Sequence, residues 1–181
     1  SYASLRHIIY AGAPMSVDKL IRAVEVFGPV MTQAFGQAEA SFVCTVLTPQ
    51  EHVVAPGDAD GLRRLQSAGR ATPFVRVEIM DDAGHLLPAG ERGEIVVRSN
   101  LVTPGYYRNP QATAAVRRHG WHLTGDVGYK DAEGYLHIVD RKRDLIISGG
   151  FNLFPGEIEQ AIWSHPAVKD CAVVGVPDAK W

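Results

Sequence analysis

WHLTGDVGYKDAEGYLHIVDRKRDLIISGG, residues 121–150, decides how this chain is read. Apolar and polar residues give a strand, a turn at Asp131–Gly134 and a second strand. A basic triplet, Arg141, Lys142 and Arg143, then leads into an apolar strand that breaks at Gly149–Gly150. The change of character places a boundary at Asp140–Arg143, where a β-rich module passes to a smaller β-α-β one.

Downstream, Pro155 opens a helix over GEIEQAIWSH with Ile158, Ala161 and Ile162 on one face. Pro166 stops it, and CAVVGV (171–176) reads as another strand. Upstream, Val75, Val77 and Ile79 alternate with Arg76 and Glu78, as a half-buried strand requires. The turn DDAG (81–84) joins it to HLLPAGERGEIVVRS as a hairpin-like pair. Asn109–Pro110 opens a short helix predicted to run through Arg118, with Gly120 closing it. Residues 48–69 are polar and read as loop.

At the front, LRHIIYAG is a strand ending at Gly12. Ser16 is placed to cap a helix in which Val17, Leu20, Ile21 and Val24 share a face and Gly28–Pro29 ends the run. Asp18 suits its first turn. SFVCTVL (41–47), after a glycine-bearing turn, is apolar on both faces and belongs inside a sheet. The class is α/β (α+β), with no internal repeat.

The 181 residues carry 18 Lys and Arg against 20 Asp and Glu, a net charge of −2. That balance gives no reason to expect a nucleic-acid partner. Apolar residues make up 46%, a globular composition, and no run approaches the roughly 18 residues of a membrane helix. Cys44 and Cys171 sit in apolar runs and read as buried reduced thiols, which favours a cytoplasmic protein.

Three segments carry residues suited to chemistry. FGQAEA holds Phe35, Gly36, Ala38 and Glu39. Its aromatic offers a stacking face, its glycine lets the backbone turn or approach a ligand, and its carboxylate suits a hard cation such as Mg²⁺. Taken alone, it reads as a surface turn with an ordinary glutamate. In LTGDVG, Asp126 is placed to accept two hydrogen bonds from a ribose diol, or to cap its own backbone. Arg141–Arg143 offers guanidinium groups to sugar or phosphate oxygens, or is a solvated linker. His119 and His122 flank Gly120 and Trp121 with no ligand cluster nearby, so nothing points to a zinc site. There is no GxSxG elbow, dinucleotide fingerprint or Walker loop.

In order, YAGAPMS, QAFGQAEA, GRATPFVRVEIMDDAG, GERGEIVVRSNLVTPGYYRNPQAT, residues 120–162 and VKDCAVVGVPD resemble the adenylate-forming (AMP-binding) superfamily. The block DRKRDLIISGGFNLFPGEIE is similar to the acyl-CoA synthetase branch. The resemblance implies an acid-thiol ligase using ATP, Mg²⁺ and coenzyme A. A carboxylic acid, fatty or aromatic, attacks the α-phosphate of ATP and expels pyrophosphate; a thiol then displaces AMP. Charge clamps must offset the repulsion between carboxylate and triphosphate. Alternatives are an adenylation enzyme with a carrier-protein or luciferase-like acceptor, and a non-catalytic nucleotide-binding module.

Carried over residue by residue, Gly12, Ala13 and Pro14 would line the adenine and acyl pocket. Phe35 would stack on adenine in place of the family's usual tyrosine, an interaction of about 1–3 kcal/mol. Glu39 would hold Mg²⁺, while Asp126 and Arg141 would bind the ribose hydroxyls. Arg143 would be the hinge in a linker at 141–143, between an AMP-binding portion (1–140) and the start of a small C-terminal domain (144–181). Gly150 would flank the pantetheine tunnel. Ala38 replaces the family's threonine and forfeits a phosphate hydrogen bond. No Ser/Thr/Gly-rich phosphate loop precedes YAGAPMS, and no lysine lies in the adenylating context. The resemblance therefore implies an internal segment of a larger synthetase, inactive by itself.

Overall fold

The computed structural model describes residues 2–13, 15–163, 165 and 167–178. Strand β1 (Ile8–Ala11) leads through helix α1 (Val17–Phe27) to β2 (Met31–Gln37), which runs parallel to β1. β3 (Ala40–Leu47) returns antiparallel, and β4 (Arg70–Ala71) completes the sheet in the order β1-β2-β3-β4. The doubly apolar β3 thus lies inside a sheet, as its composition requires.

Helix α1 ends at Gly28, whose φ of 82° only glycine adopts cheaply. Ser16 occupies the N-cap position, but its side chain makes no capping bond. The helix is held by its apolar face instead: Leu20 is buried with Met31, Leu47 and Leu65.

Two sequence expectations fail here. Phe35, Gly36 and Gln37 belong to β2, not to a turn; only Ala38–Glu39 form the hairpin connection. Pairing with β3 overrides the weak strand propensity of this stretch. Within residues 48–69, a short 3₁₀ turn (Gln50–His52) and helix α2 (Ala59–Leu65) replace the expected loop. Seven residues are too few to print an amphipathic repeat, although Asp58 caps the helix by accepting the Gly61 N–H at 2.8 Å.

The second sheet is antiparallel throughout. It contains β5 (Arg76–Met80), β6 (Gly93–Arg98), β7 (Arg117–Arg118), β8 (Trp121–Lys130) and β9 (Leu136–Arg141). β6 lies between β5 and β8, while β7 and β9 pair with opposite ends of β8. Ile95, Val96 and Val97 are all fully buried, so β6 is covered on both faces. Ile95 and Val97 join Val77, Ile79, Cys44 and Leu136 in the core between the sheets. Val96 packs with Met80 and Trp121 on the other side.

Helix α3 (Pro110–Ala115) starts with Asn109 accepting the Ala112 N–H, as expected, but stops three residues before Arg118. The chain turns there into β7, and Gly120 shares the hairpin tip with His119, at φ 77° and 49°. Arg98 holds that tip through the His119 and Gly120 carbonyls at 2.8 and 3.1 Å.

After a 3₁₀ turn at Lys142–Asp144, β10 (Ile146–Ser148) and β11 (Phe151–Leu153) form a hairpin closed by Gly149–Gly150, followed by helix α4 (Pro155–Trp163). Pro166 lies outside the described residues. CAVVGV is not a strand: it has no ladder partner among the described residues, and Val174 and Val176 are exposed. The Val173 N–H instead donates to Glu159 Oε1 at 2.8 Å. The described part of the small module is hairpin and helix, not β-α-β. Among the described residues no helix is long and apolar enough to cross a membrane.

Candidate functional site

A cavity of about 420 Å³ opens where β2, β8 and the end of β9 meet, lined by Gln37, Thr124, Gly125, Arg141, Lys142 and Arg143. The β8 backbone makes it. Gly125 takes φ 74°, and the ladder to β6 slips between Glu94↔Val127 and Val96↔Leu123. Such a bulge re-aims side chains out of the ladder. Thr124 fixes it, its hydroxyl donating to the Ile95 carbonyl at 2.8 Å and accepting the Asp126 N–H at 3.1 Å. The Gly125 N–H donates to Glu94 Oε1 at 3.2 Å.

Asp126, 8% exposed, follows directly after the bulge glycine, beside the cavity-lining Gly125. Asp126 faces Arg141 across the β8–β9 ladder, with 3.6 Å between Oδ1 and Nε. Gln37 Nε2 donates to Oδ2 at 3.4 Å and to the Thr124 carbonyl at 2.8 Å. Burial pushes the Asp126 carboxyl above its ordinary range, with Arg141 and Gln37 working against that shift. A buried carboxylate beside a guanidinium that itself lines a cavity suits a ligand carrying vicinal hydroxyls.

The basic triplet divides its tasks. Arg141 faces Asp126, whereas Lys142 turns away to Asp82 (2.7 Å) and Glu94 (2.9 Å), whose hydrogen bonds raise its pKa. Arg143 is largely exposed, 3.5 Å from Asp144.

Gly12 and Ala13 follow the carboxyl end of β1, just beyond its last ladder pair with β2, Ala11↔Ala34. Gly12 has φ 85° with open space where a Cβ would point. Pro14 lies outside the described residues. Phe35 is half-buried and packs against the main core, so its ring is part of the fold. Gly36 sits at the register slip between Phe35 and Gln37.

Ala38 is exposed at the β2–β3 hairpin tip. Beside it, Glu39 accepts the Tyr106 hydroxyl at 2.9 Å, and its carbonyl accepts the Thr103 N–H at 2.8 Å. Its second carboxylate oxygen enters no hydrogen bond among the described residues. Among those residues, no group of three or more His, Cys, Asp or Glu converges. One carboxylate fits Mg²⁺ carried in on substrate phosphates, because Mg²⁺ takes one or two carboxylates and completes its shell elsewhere. Gly150, at φ 83°, is exposed in the β10–β11 hairpin.

The structure therefore brings Arg141 and Arg143 to one cavity with Gln37 and Thr124, sets Asp126 beside that lining through Gln37 and Arg141, and places Gly12 and Ala13 just past the end of β1. Sequence reasoning missed Gln37, Thr124, Tyr106 and His122. Gln37 and Thr124 lie within motifs already singled out, but contacts to residues 87 and 29 positions away are not legible there.

The AMP-binding enzyme model matches residues 1–107, and the AMP-binding enzyme C-terminal domain model matches residues 157–181. A medium/long-chain fatty-acid–CoA ligase of Mycobacterium tuberculosis is 41% identical over 99% of this chain, which covers 30% of that protein. The amide bond synthetase of Marinactinospora thermotolerans superimposes with TM-score 0.87 at 41% identity, over 98% of this chain and 34% of its own. O-succinylbenzoate coenzyme A synthetase of Bacillus subtilis, in complex with AMP, gives TM-score 0.85 at 35% identity, over 98% of this chain and 34% of its own. That enzyme is also solved with ATP and a magnesium ion. The chain spans about a third of the length of these relatives. With one model covering more than half of its residues and a second matching its end, this chain belongs to the AMP-binding enzyme family.

Proposed function

We propose that this chain carries the ribose- and metal-holding part of an ATP-dependent acyl-CoA synthetase. The observation that supports this most is the buried Asp126 carboxylate held by Arg141 and Gln37, two residues that line a cavity of about 420 Å³. Asp126 accepts hydrogen bonds from both ribose hydroxyls, and Arg141 donates to the same sugar. Gly12 and Ala13 border the adenine and acyl pocket, with Phe35 presenting one face to the base. Glu39 holds Mg²⁺, which when bound neutralises phosphate charge that would repel an incoming carboxylate.

In the reaction, a carboxylate oxygen attacks the α-phosphorus and the bond to pyrophosphate breaks. The thiol sulfur of coenzyme A then attacks the acyl carbon, the bond to AMP oxygen breaks, and the thiol proton leaves to solvent. Residues 141–143 form the hinge between the two steps, with Arg143 as the hinge residue, between portions 1–140 and 144–181. Gly150 flanks the pantetheine path. The substrates are fatty or aromatic acids, in keeping with the fatty-acid and succinylbenzoate ligases it resembles. The setting is cytoplasmic.

A second reading differs only in the acceptor: the amide bond synthetase match favours an amine in place of the thiol. Pyrophosphate exchange with the complete polypeptide that carries this chain tests the first step against a panel of fatty and aromatic acids. Coenzyme A and a simple amine then compete for the product. Thioester formation supports the proposal; acid-dependent exchange with amide as the sole product moves the chain to the second reading. No exchange with any acid would overturn both.

A further inference from the structure

His122 joins the site's hydrogen-bond network only through Gln37, at the network's end, yet it is only 4% exposed. Its Nε2 is 3.0 Å from Gln37 Oε1. The Gln37 amide has one orientation that works: the Thr124 carbonyl only accepts and Asp126 is a carboxylate, so the NH₂ group must face them. The oxygen then faces His122, and Nε2 must carry the proton. Nδ1 is left as a buried nitrogen without a partner among the described residues. Protonating it would put an N–H where nothing accepts it.

We infer that His122, held as the neutral Nε2–H tautomer, is a positioning residue that locks the Gln37 amide and through it the ribose-facing carboxylate of Asp126. The inference rests on the ribose reading of Asp126 proposed above. The chain of contacts runs from His122 Nε2–H to Gln37 Oε1, and from Gln37 Nε2–H to Asp126 Oδ2 and the Thr124 carbonyl. Without the imidazole donor the amide is free to flip and present its oxygen to the carboxylate, which repels it. Burial depresses the His122 pKa, Glu39 and Glu94 oppose that, and Arg117 adds to it, in keeping with a neutral ring.

The test uses the complete polypeptide and compares binding of ATP with that of 2′,3′-dideoxy-ATP, which lacks both hydroxyls. His122→Leu is expected to weaken ATP binding by roughly three- to tenfold while leaving the dideoxy analogue unchanged. His122→Gln, whose amide nitrogen reaches about the same place as Nε2, is expected to restore most of the preference. In ¹⁵N-histidine-labelled wild-type protein, His122 is expected to show a bare imine-type Nδ1 and a protonated Nε2. If Asp126→Ala leaves the ATP preference intact, the ribose reading falls and takes this inference with it. If Asp126→Ala abolishes the preference but His122→Leu retains it, the ribose reading stands and the positioning role is overturned. The opposite tautomer also overturns it, independently of whether His122→Leu folds.

Discussion

Asp140, at the end of β9, accepts the Gly156 N–H from the first turn of α4 at 2.8 Å. Its other carboxylate oxygen accepts the Arg141 N–H at 2.7 Å. One side chain thus fastens the small module to the sheet and satisfies a helix N-terminal donor, a favourable place for negative charge. Arg92 adds a second tie, 2.7 Å from Glu157 on the same helix turn. Both ties cross residues 141–143, so any rotation about those residues must break them.

Replacing Asp140 with alanine removes the capping acceptor and is expected to cost about 0.5–2 kcal/mol in docking of α4. Arg92→Ala should cost less, under about 1 kcal/mol, because both partners are half-exposed. Hydrogen exchange at the first-turn amides of α4 checks both. Exchange in Asp140→Ala as slow as in wild type would refute the tie.

Asp126→Asn is expected to stabilise the fold while weakening nucleotide binding. Burial raises the pKa of this carboxyl, so its favourable contribution is complete below the unfolded aspartate value, about 3.9, and is lost as pH rises through the higher folded value. At neutral pH the ionised group opposes folding, and an amide removes that cost while still accepting from Gln37. Thermal unfolding of the two proteins should favour the amide at neutral pH and converge in acid. A variant less stable at neutrality would contradict this.

Glu51 behaves in the opposite sense. Burial disfavours its charge, but donors from the Thr48 N–H and hydroxyl (both 2.7 Å), Arg70 and Tyr135 (both 2.8 Å) outweigh burial and lower its pKa. Its contribution is therefore present above the unfolded glutamate value, about 4.3, and disappears as pH falls through the lower folded one. Glu51→Gln should cost roughly 1.5–3 kcal/mol at neutral pH, seen as faster hydrogen exchange around α2, with the difference narrowing in acid.

Gly69 cannot be replaced. Its φ is 82°, and an added Cβ would lie 2.1 Å from the Val46 carbonyl carbon and oxygen, which are backbone and cannot move aside. Gly69→Ala should destabilise by about 2–4 kcal/mol, combining backbone strain with overpacking. A fall in soluble yield and melting temperature would register it. Gly12→Ala, with the same sign of φ but open space around it, should lose only the strain.

Periodicity and punctuation determined much of this protein: the α1 face of Val17, Leu20 and Val24, the interior sheet strand at 41–47, the β5 alternation and the turn at Asp131–Gly134. Those features are local, each set by the side-chain period of one element or by residues tolerant of a turn. The motif order likewise pointed to the family and to Asp126 and Arg141. Tertiary pairing decided the rest. Gln37 became part of a strand because β3 lay beside it, while residues 171–176 stayed unpaired because no described strand did. The link from His122 through Gln37 to Asp126 joins positions 85 and 89 residues apart, a proximity set by sheet register and invisible to any local pattern.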